Sequence, residues 1–431
     1  MTIGPDRLVV RLFGEPAGKL EIDGPLHSPE DWRFRYYEAY LARAESCPLS
    51  TTLPLRPQPF EGAVVRNWFC NLLPEGLVRE AIEQRLRIPP RDDFAMLAAI
   101  GGECAGAVSI GPRGSAAPDD MPSDAADLAT TLQVHDGDEA GEGAWAAIAA
   151  PNRLTLAGAQ DKIAVVVEPG GQLRLPRLGE PSTHILKPES RVLPGLRDLE
   201  LLGLTLARAV GLQAVAASPV DIAGRKALLV ERYDRALDRD DNRVRLHQED
   251  FCQALGMPGE LKYQAQGGPS LARCAGLLRT TLRLGPPALQ GFLDWIIYNV
   301  LIGNADAHAK NLALLRDAAG TLALAPFYDM VPTIVYPESM VERTPALDIG
   351  GAPRIDAVER RHWERLATET GYARGFVMRR VSELAGAVVE AMPNAVAVLV
   401  EGTADATRVE RAASVIVANA TATKQRALLA G

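Results

Sequence analysis

A chain of 431 residues, 47% hydrophobic and 23% charged, is too long for one small core and too apolar to be disordered, so two or three packed units are expected. Its formal net charge of -8 argues against a protein that coats nucleic acid by itself, because such a protein presents cations to the phosphates. Cys47, Cys70, Cys104, Cys252 and Cys274 are widely spread, with no C-x-x-C pair and no histidine at zinc spacing, and read as reduced, mostly buried thiols of a reducing compartment.

The opening MTIGPDRLVVRLFG carries charge inside its apolar stretch and has no small-residue cleavage pattern. The longest apolar run, Phe292 to Gly303, contains Asp294 and Asn299 and is too short for a bilayer, so a cytoplasmic protein with no membrane association is expected. Leu8 to Phe13 and Lys19 to Ile22 flank a polar turn and predict a β-hairpin. Between Asn67 and Leu86 the apolar residues recur at helical spacing, and Pro74 should end one helix and begin another. GGECAGAVSI, Gly101 to Ile110, looks like a glycine turn feeding a strand, and the Pro, Gly, Ser and Asp of Gly111 to Asp127 mark a linker.

Beyond the linker, Lys162 to Val167, His184 to Lys187 and Lys226 to Glu231 read as strands. Leu199, Leu202, Leu206 and Val210 share one helix face, with Gly211 as the stop. From about residue 246 the pattern is mainly helical, and Val377, Val381, Leu384 and Val388 outline one C-terminal helix. The expected fold is α+β and bilobal, like a protein kinase: a small β-rich lobe with an N-terminal subdomain, then a larger all-helical C-lobe. The boundaries implied are 1–112 for the N-terminal subdomain, 113–145 for the linker and a connecting helix, 146–236 for the N-lobe and 237–431 for the C-lobe.

The densest chemistry lies in IGNADAHAKN, Ile302 to Asn311. Phosphoryl transfer needs a carboxylate to accept the proton of the attacking hydroxyl and oxygen ligands for the magnesium that neutralises the phosphates. Asp306 precedes Asn311 by the interval that separates base and metal ligand in a kinase catalytic loop, and LALAPFYDM, Leu322 to Met330, reads as an apolar strand that delivers Asp329 as second metal ligand. His308 and Lys310 fall where they could touch phosphate. Upstream, Lys187 ends a buried strand and calls for an anionic partner, for which a nucleotide phosphate is suited, with Glu200 as a candidate to hold it. The small residues of LTLAGAQDK, Leu154 to Lys162, would let backbone amides approach phosphates, and LLVERYDR, Leu228 to Arg235, could bind adenine through its main chain. His184 and His247 read as structural, and no chemistry attaches to KYQAQGGPS, Lys262 to Ser270.

With LSTTLPL, NLLPEGLVRE, GGECAGAVSI, LTLAGAQDK, PSTHILKP, LLVERYDR, RLHQEDFCQALG, KYQAQGGPS, IGNADAHAKN and LAPFYDM in one order, the chain resembles the HipA family, the kinase toxins of bacterial type II toxin–antitoxin modules, over nearly its whole length. The resemblance implies Asp306 as catalytic base, Asn311 and Asp329 as magnesium ligands, and ATP contacts from Ala157, Gly158, Ala159, Gln160, Asp161 and Lys162, from Lys187, from Glu231, Arg232 and Tyr233, from His308, Ala309, Lys310 and Asn311, and from Tyr328 and Asp329. It also implies self-phosphorylation just before the AGAQ turn, where this chain has Thr155 in place of serine. The partners implied are a helix-turn-helix, HipB-like antitoxin, operator DNA reached through it, and a target among the aminoacyl-tRNA synthetases, best known for the glutamate enzyme. A small-molecule kinase could use the same residues, and a catalytically silent scaffold for a DNA-binding repressor is the reading from a different class.

Overall fold

The computed structural model describes residues 7–22, 28–112, 128, 157–158, 160–177, 179–222, 224–317, 319–402 and 405–429. It divides into two compact units, one of Met1–Pro194, Val220–Gly259 and Leu314–Leu322, the other of Gly195–Pro219, Glu260–Ala313 and Ala323–Gly431. Most of the linker expected at 113–145 lies outside the described residues.

In the first unit, β1 (Arg7–Leu12) and β2 (Glu15–Ile22) form the hairpin read from the sequence. Phe13 and Gly14 both take positive φ, 52° and 81°, the turn geometry whose twist matches the strands it joins. With β3 (Trp32–Tyr36), β4 (Phe60–Glu61) and β5 (Val108–Pro112) they form a five-stranded sheet in the order β4-β3-β2-β1-β5. Trp32, Phe34 and Tyr36 alternate inward along β3, as the two-residue period requires. The helices Ala63–Cys70 and Asp93–Ile100 supply Phe69 and Phe94, each with its ring centroid 5.7 Å from an aromatic of β3. The helical run interrupted by Pro74 resolves into Ala63–Cys70 and Gly76–Leu86.

The second sheet of this unit contains β6 (Ile163–Val167), β7 (Leu173–Arg174), β8 (His184–Pro188) and β10 (Arg225–Glu231) in the order β7-β6-β8-β10, with β9 (Ala217–Ile222) beyond β10. The β8–β10 register pairs Lys187 with Leu228 and His184 with Glu231. His247 is structural, as read: its Nε2 lies 2.7 Å from the Leu49 carbonyl, and burial lowers its pKa to about 4.

The second unit is built on helices. Leu196–Ala209 buries Leu199, Leu202 and Leu206, and Gly211 at φ 85° follows its end. Pro286–Ile302 starts on proline, which needs no amide partner there, and is buried from Phe292 to Ile302. Asn419, on the helix Ala406–Leu428, donates to the Val300 and Leu301 carbonyls at 2.8 and 2.9 Å, satisfying acceptors that the last helical turn leaves open. Among the described residues the helix Arg374–Glu401 alone has the length and composition to cross a membrane, and its stripe of Val377, Val381, Leu384, Val388 and Met392 is buried within the fold.

Two details differ from the sequence reading. The largely helical chain after residue 246 also carries short strands at His247–Asp250, Ala313–Arg316 and Leu322–Leu324. The apolar strand expected to run to Asp329 stops at Leu324, because Pro326 has no amide to extend a ladder; Phe327 makes a single bridge with Ala214 instead.

Candidate active site

The nucleotide-side residues read from the sequence lie in the first unit. Thr155 and Ala159 are outside the described residues. Gly158 sits at φ 113°, and a Cβ there would come within 2.8 Å of Lys162 Nζ, so the turn needs glycine and brings a lysine ammonium over its own backbone. The Glu75 amide donates to Gly158 O at 3.0 Å, docking the turn on the Pro74–Glu75 segment. Ala157, Gln160 and Lys162 are half-buried and Asp161 is buried. Lys187 is buried on β8, only 6% exposed, and Glu200 is buried on the helix Leu196–Ala209.

Glu231 ends β10, and Arg232 and Tyr233 follow it. The Arg232 guanidinium is committed inside the protein: it donates to both Asp234 carboxylate oxygens at 2.9 and 2.6 Å, to Ser182 Oγ at 3.0 Å and to Glu103 Oε1 at 3.3 Å. Main-chain atoms are therefore what this position can present to a ligand. Glu103 also receives Arg235 at 2.6 Å and Arg245, and donors from Ser182. Burial pushes the Glu103 pKa up, but the Arg245, Arg235 and Arg232 charges outweigh it and hold the carboxyl at about 2. Nothing in the spacing of Glu103, Ser182 and the three arginines marks this cluster in the sequence.

The residues read from the sequence as catalytic loop and metal ligands, Asp306, Asn311 and Asp329, all fall in the second unit. Gly303 ends the helix Pro286–Ile302 at φ 70°, and a Cβ there would fall 2.5 Å from Ile334 Cβ, so the chain can leave the helix only through glycine. The Gly303 carbonyl accepts from Thr333 Oγ1 at 3.0 Å and Ile334 N at 2.9 Å, while Thr333 Oγ1 accepts from Ala305 N at 2.9 Å. From Asn304 to Asn311 every residue is buried except Asp306. A carboxylate is thus presented to solvent on a loop fixed from below.

Asp306 Oδ1 accepts a 2.7 Å hydrogen bond from the Tyr263 hydroxyl, and the Tyr263 ring stands edge-on to His308 with centroids 5.3 Å apart. Asn311 Nδ2 donates to the Asp306 carbonyl at 3.2 Å. A carbonyl can only accept, so the amide nitrogen faces it and Asn311 Oδ1, the atom a hard cation prefers, is turned the other way. Lys310 is buried, its carbonyl accepting from Tyr328 Oη at 2.6 Å, and Ala309 is fully buried. Asp329 is held at φ 53°, in the left-handed region, and Gly203 lets the next residue approach: a Cβ on it would lie 1.7 Å from Met330 O. One carboxylate and one amide oxygen are the donor set a protein contributes to magnesium that also binds phosphates and water, so the residues suit that ion. Tyr263 lies in KYQAQGGPS, a segment that the sequence marks without a chemical role, because nothing fixes its spacing to Asp306.

Residues 8–111 match the model of the HipA N-terminal domain and residues 154–396 that of the HipA-like C-terminal domain. Y4mE of Sinorhizobium fredii, named only as a candidate kinase, is 38% identical over 385 residues, covering 87% of this chain and 88% of its own. The serine/threonine-protein kinase toxin HipA of Shewanella oneidensis is 28% identical over 349 residues, covering 75% and 73% of the two chains. The solved Shewanella oneidensis complex of HipA, HipB and operator DNA contains a chain that superposes with a TM-score of 0.77 at 24% identity, covering 96% of each, which establishes the α+β kinase-like fold. The chain belongs to the HipA family of kinases.

Proposed function

We propose that this protein is a serine/threonine kinase and the toxin of a type II toxin–antitoxin pair, moving the γ-phosphate of ATP to a hydroxyl of a cellular protein. The proposed target is an aminoacyl-tRNA synthetase such as glutamate–tRNA ligase, whose loss of activity would stop translation and growth. The observation that carries the chemistry is the solvent-facing Asp306 carboxylate on an otherwise buried loop, with the Asn311 amide turned by its bond to the Asp306 carbonyl.

In this reading Asp306 accepts the proton of the attacking hydroxyl, and Asn311 Oδ1 and Asp329 hold magnesium, which supplies charge neutralisation at the phosphates. Lys187 offers its ammonium to a phosphate, supported by its burial, and the Ala157–Lys162 turn contributes amides and the Lys162 charge. The main chain of Glu231–Tyr233 receives adenine, and His308, Ala309, Lys310 and Tyr328 line the phosphate side. Residues 146–236 act as N-lobe and 237–431 as C-lobe, behind the 1–112 subdomain and the 113–145 connection. Thr155, outside the described residues, keeps the hydroxyl that self-phosphorylation needs. The Shewanella oneidensis complex supports a HipB-like, helix-turn-helix partner that brings the kinase to operator DNA, and the compartment proposed is the cytoplasm.

Phosphoproteomics after induction tests the proposal, with Asp306→Gln as comparison. Growth arrest and phosphoserine or phosphothreonine on a synthetase with the wild type alone are expected. Identical phosphosites from both proteins would reject it, and labelling confined to small molecules would redirect it to a metabolite kinase.

A further inference from the structure

Asn304 lies two residues before the proposed base and is 2% exposed. Its side chain makes three hydrogen bonds. Asn304 Oδ1 accepts from the Asp306 amide at 3.1 Å, and Nδ2 donates to Asn299 Oδ1 at 2.8 Å and to the Asp329 carbonyl at 3.3 Å. Two of these partners are main-chain groups with fixed roles: an N–H can only donate and a C=O can only accept. The orientation of the amide is therefore determined, and one side chain is tied to the proposed base at one end and to the proposed metal ligand at the other.

The tie does not float. The Asn304 amide donates to Asn299 O at 2.8 Å, and Asn299 Nδ2 donates to Trp295 O at 2.8 Å, inside the buried helix Pro286–Ile302. The Asp329 carbonyl that Asn304 holds belongs to a residue at φ 53°, a conformation a residue with a Cβ keeps only when its surroundings impose it. Buried amides with all their partners present specify one arrangement strongly, and a lost partner leaves others unsatisfied.

We propose that Asn304 is a positioning residue that couples Asp306 to Asp329, setting the distance between the base and the metal-binding carboxylate. The inference rests on the kinase reading above. In this inference Asn304 acts through the two aspartates that its side chain bonds.

The test uses the full chain with Asn304→Ala and Asn304→Asp. Ala removes all three side-chain bonds; Asp keeps an acceptor for the Asp306 amide and loses both donors. Magnesium is titrated calorimetrically in the presence of a non-hydrolysable ATP analogue, kcat is measured on a phosphorylatable protein, and unfolding is followed in parallel. The expected result is a half-saturating magnesium concentration raised, and a kcat lowered, each about tenfold in Asn304→Ala. Asn304→Asp should show the magnesium effect with a smaller loss of kcat; if it does not fold, Asn304→Ala decides alone. A purely structural role would lower the active fraction and leave the half-saturation of the folded protein at the wild-type value, and that outcome overturns the inference. A wild type that binds no magnesium–nucleotide and transfers no phosphate would overturn the kinase reading and this inference together.

Discussion

The hydroxyl of Tyr263 and the carboxylate of Asp306 are joined by a 2.7 Å hydrogen bond, although their segments are separated by the whole of the helix Pro286–Ile302. Charge-assisted bonds of this kind fix the rotation of a carboxylate, which in the proposed mechanism leaves Oδ2 to accept the substrate proton. Tyr263→Phe keeps the ring against His308 and deletes only the donor. It should lower kcat about tenfold with an unchanged KM for ATP. Steady-state kinetics at varied ATP checks this, and a change confined to KM would show that Tyr263 serves nucleotide binding instead.

Glu103 is the hub of two buried arginines, Arg232 and Arg235, and the half-buried Arg245, and its removal leaves Asp234 as a single carboxylate against the first two. Replacing a buried ion-pair partner commonly costs about 3–5 kcal/mol. Glu103→Ala should lose stability on that scale in urea unfolding. Glu103→Gln, which keeps one acceptor, should lose less. Equal stability of Glu103→Ala and wild type would mean that the cluster rearranges freely.

These two residues show which parts of the protein were legible in its sequence. The β1–β2 hairpin, the stop at Gly211 and the loop Ile302–Asn311 are local: a turn, a helix end and a run of polar residues each write their geometry into neighbouring positions. Tyr263 with Asp306, Asn304 with Asp329, and Glu103 with Arg232, Arg235 and Arg245 are contacts made by folding, and no periodicity connects their positions. Hydropathy alone makes one strand of Leu322 to Met330, but Pro326, whose missing amide ends the ladder, stops it at Leu324. Arg232 shows a different limit: its place next to the strand end was legible, but not that its side chain is used up by Glu103 and Asp234.

Glu249 gives a pH prediction. It is buried, accepting from Ser50 Oγ at 2.5 Å and the Thr51 amide at 3.2 Å, and burial raises its pKa to about 7 from an ordinary 4.5. A folded pKa above the unfolded one means the native state binds the proton more tightly. The stability contributed is complete below 4.5 and is lost as pH rises through about 7. His247 works in the opposite sense, its pKa lowered to about 4, so wild-type stability alone blends the two. Comparison with Glu249→Gln isolates the carboxyl: the variant should gain in unfolding temperature relative to wild type between about pH 5 and about pH 8. Parallel unfolding curves across that range would refute the assignment.

Asp329, proposed as a magnesium ligand, has an unfavourable backbone. At φ 53° its Cβ crowds the main chain, a strain of about 1 kcal/mol that glycine escapes, although glycine also gives the unfolded chain more freedom to lose. Asp329→Gly should therefore unfold at or near the wild-type temperature, whereas Asp329→Ala, which retains the strain and lacks the carboxylate, should be less stable than the glycine variant by about 1 kcal/mol. Both should lose phosphate transfer on the order of a hundredfold or more, because neither offers an oxygen to the cation. Thermal unfolding and kinase assays on the same preparations separate the two effects. A glycine variant with wild-type activity would remove Asp329 from the metal site, and an alanine variant as stable as the glycine one would mean that the left-handed backbone carries no cost.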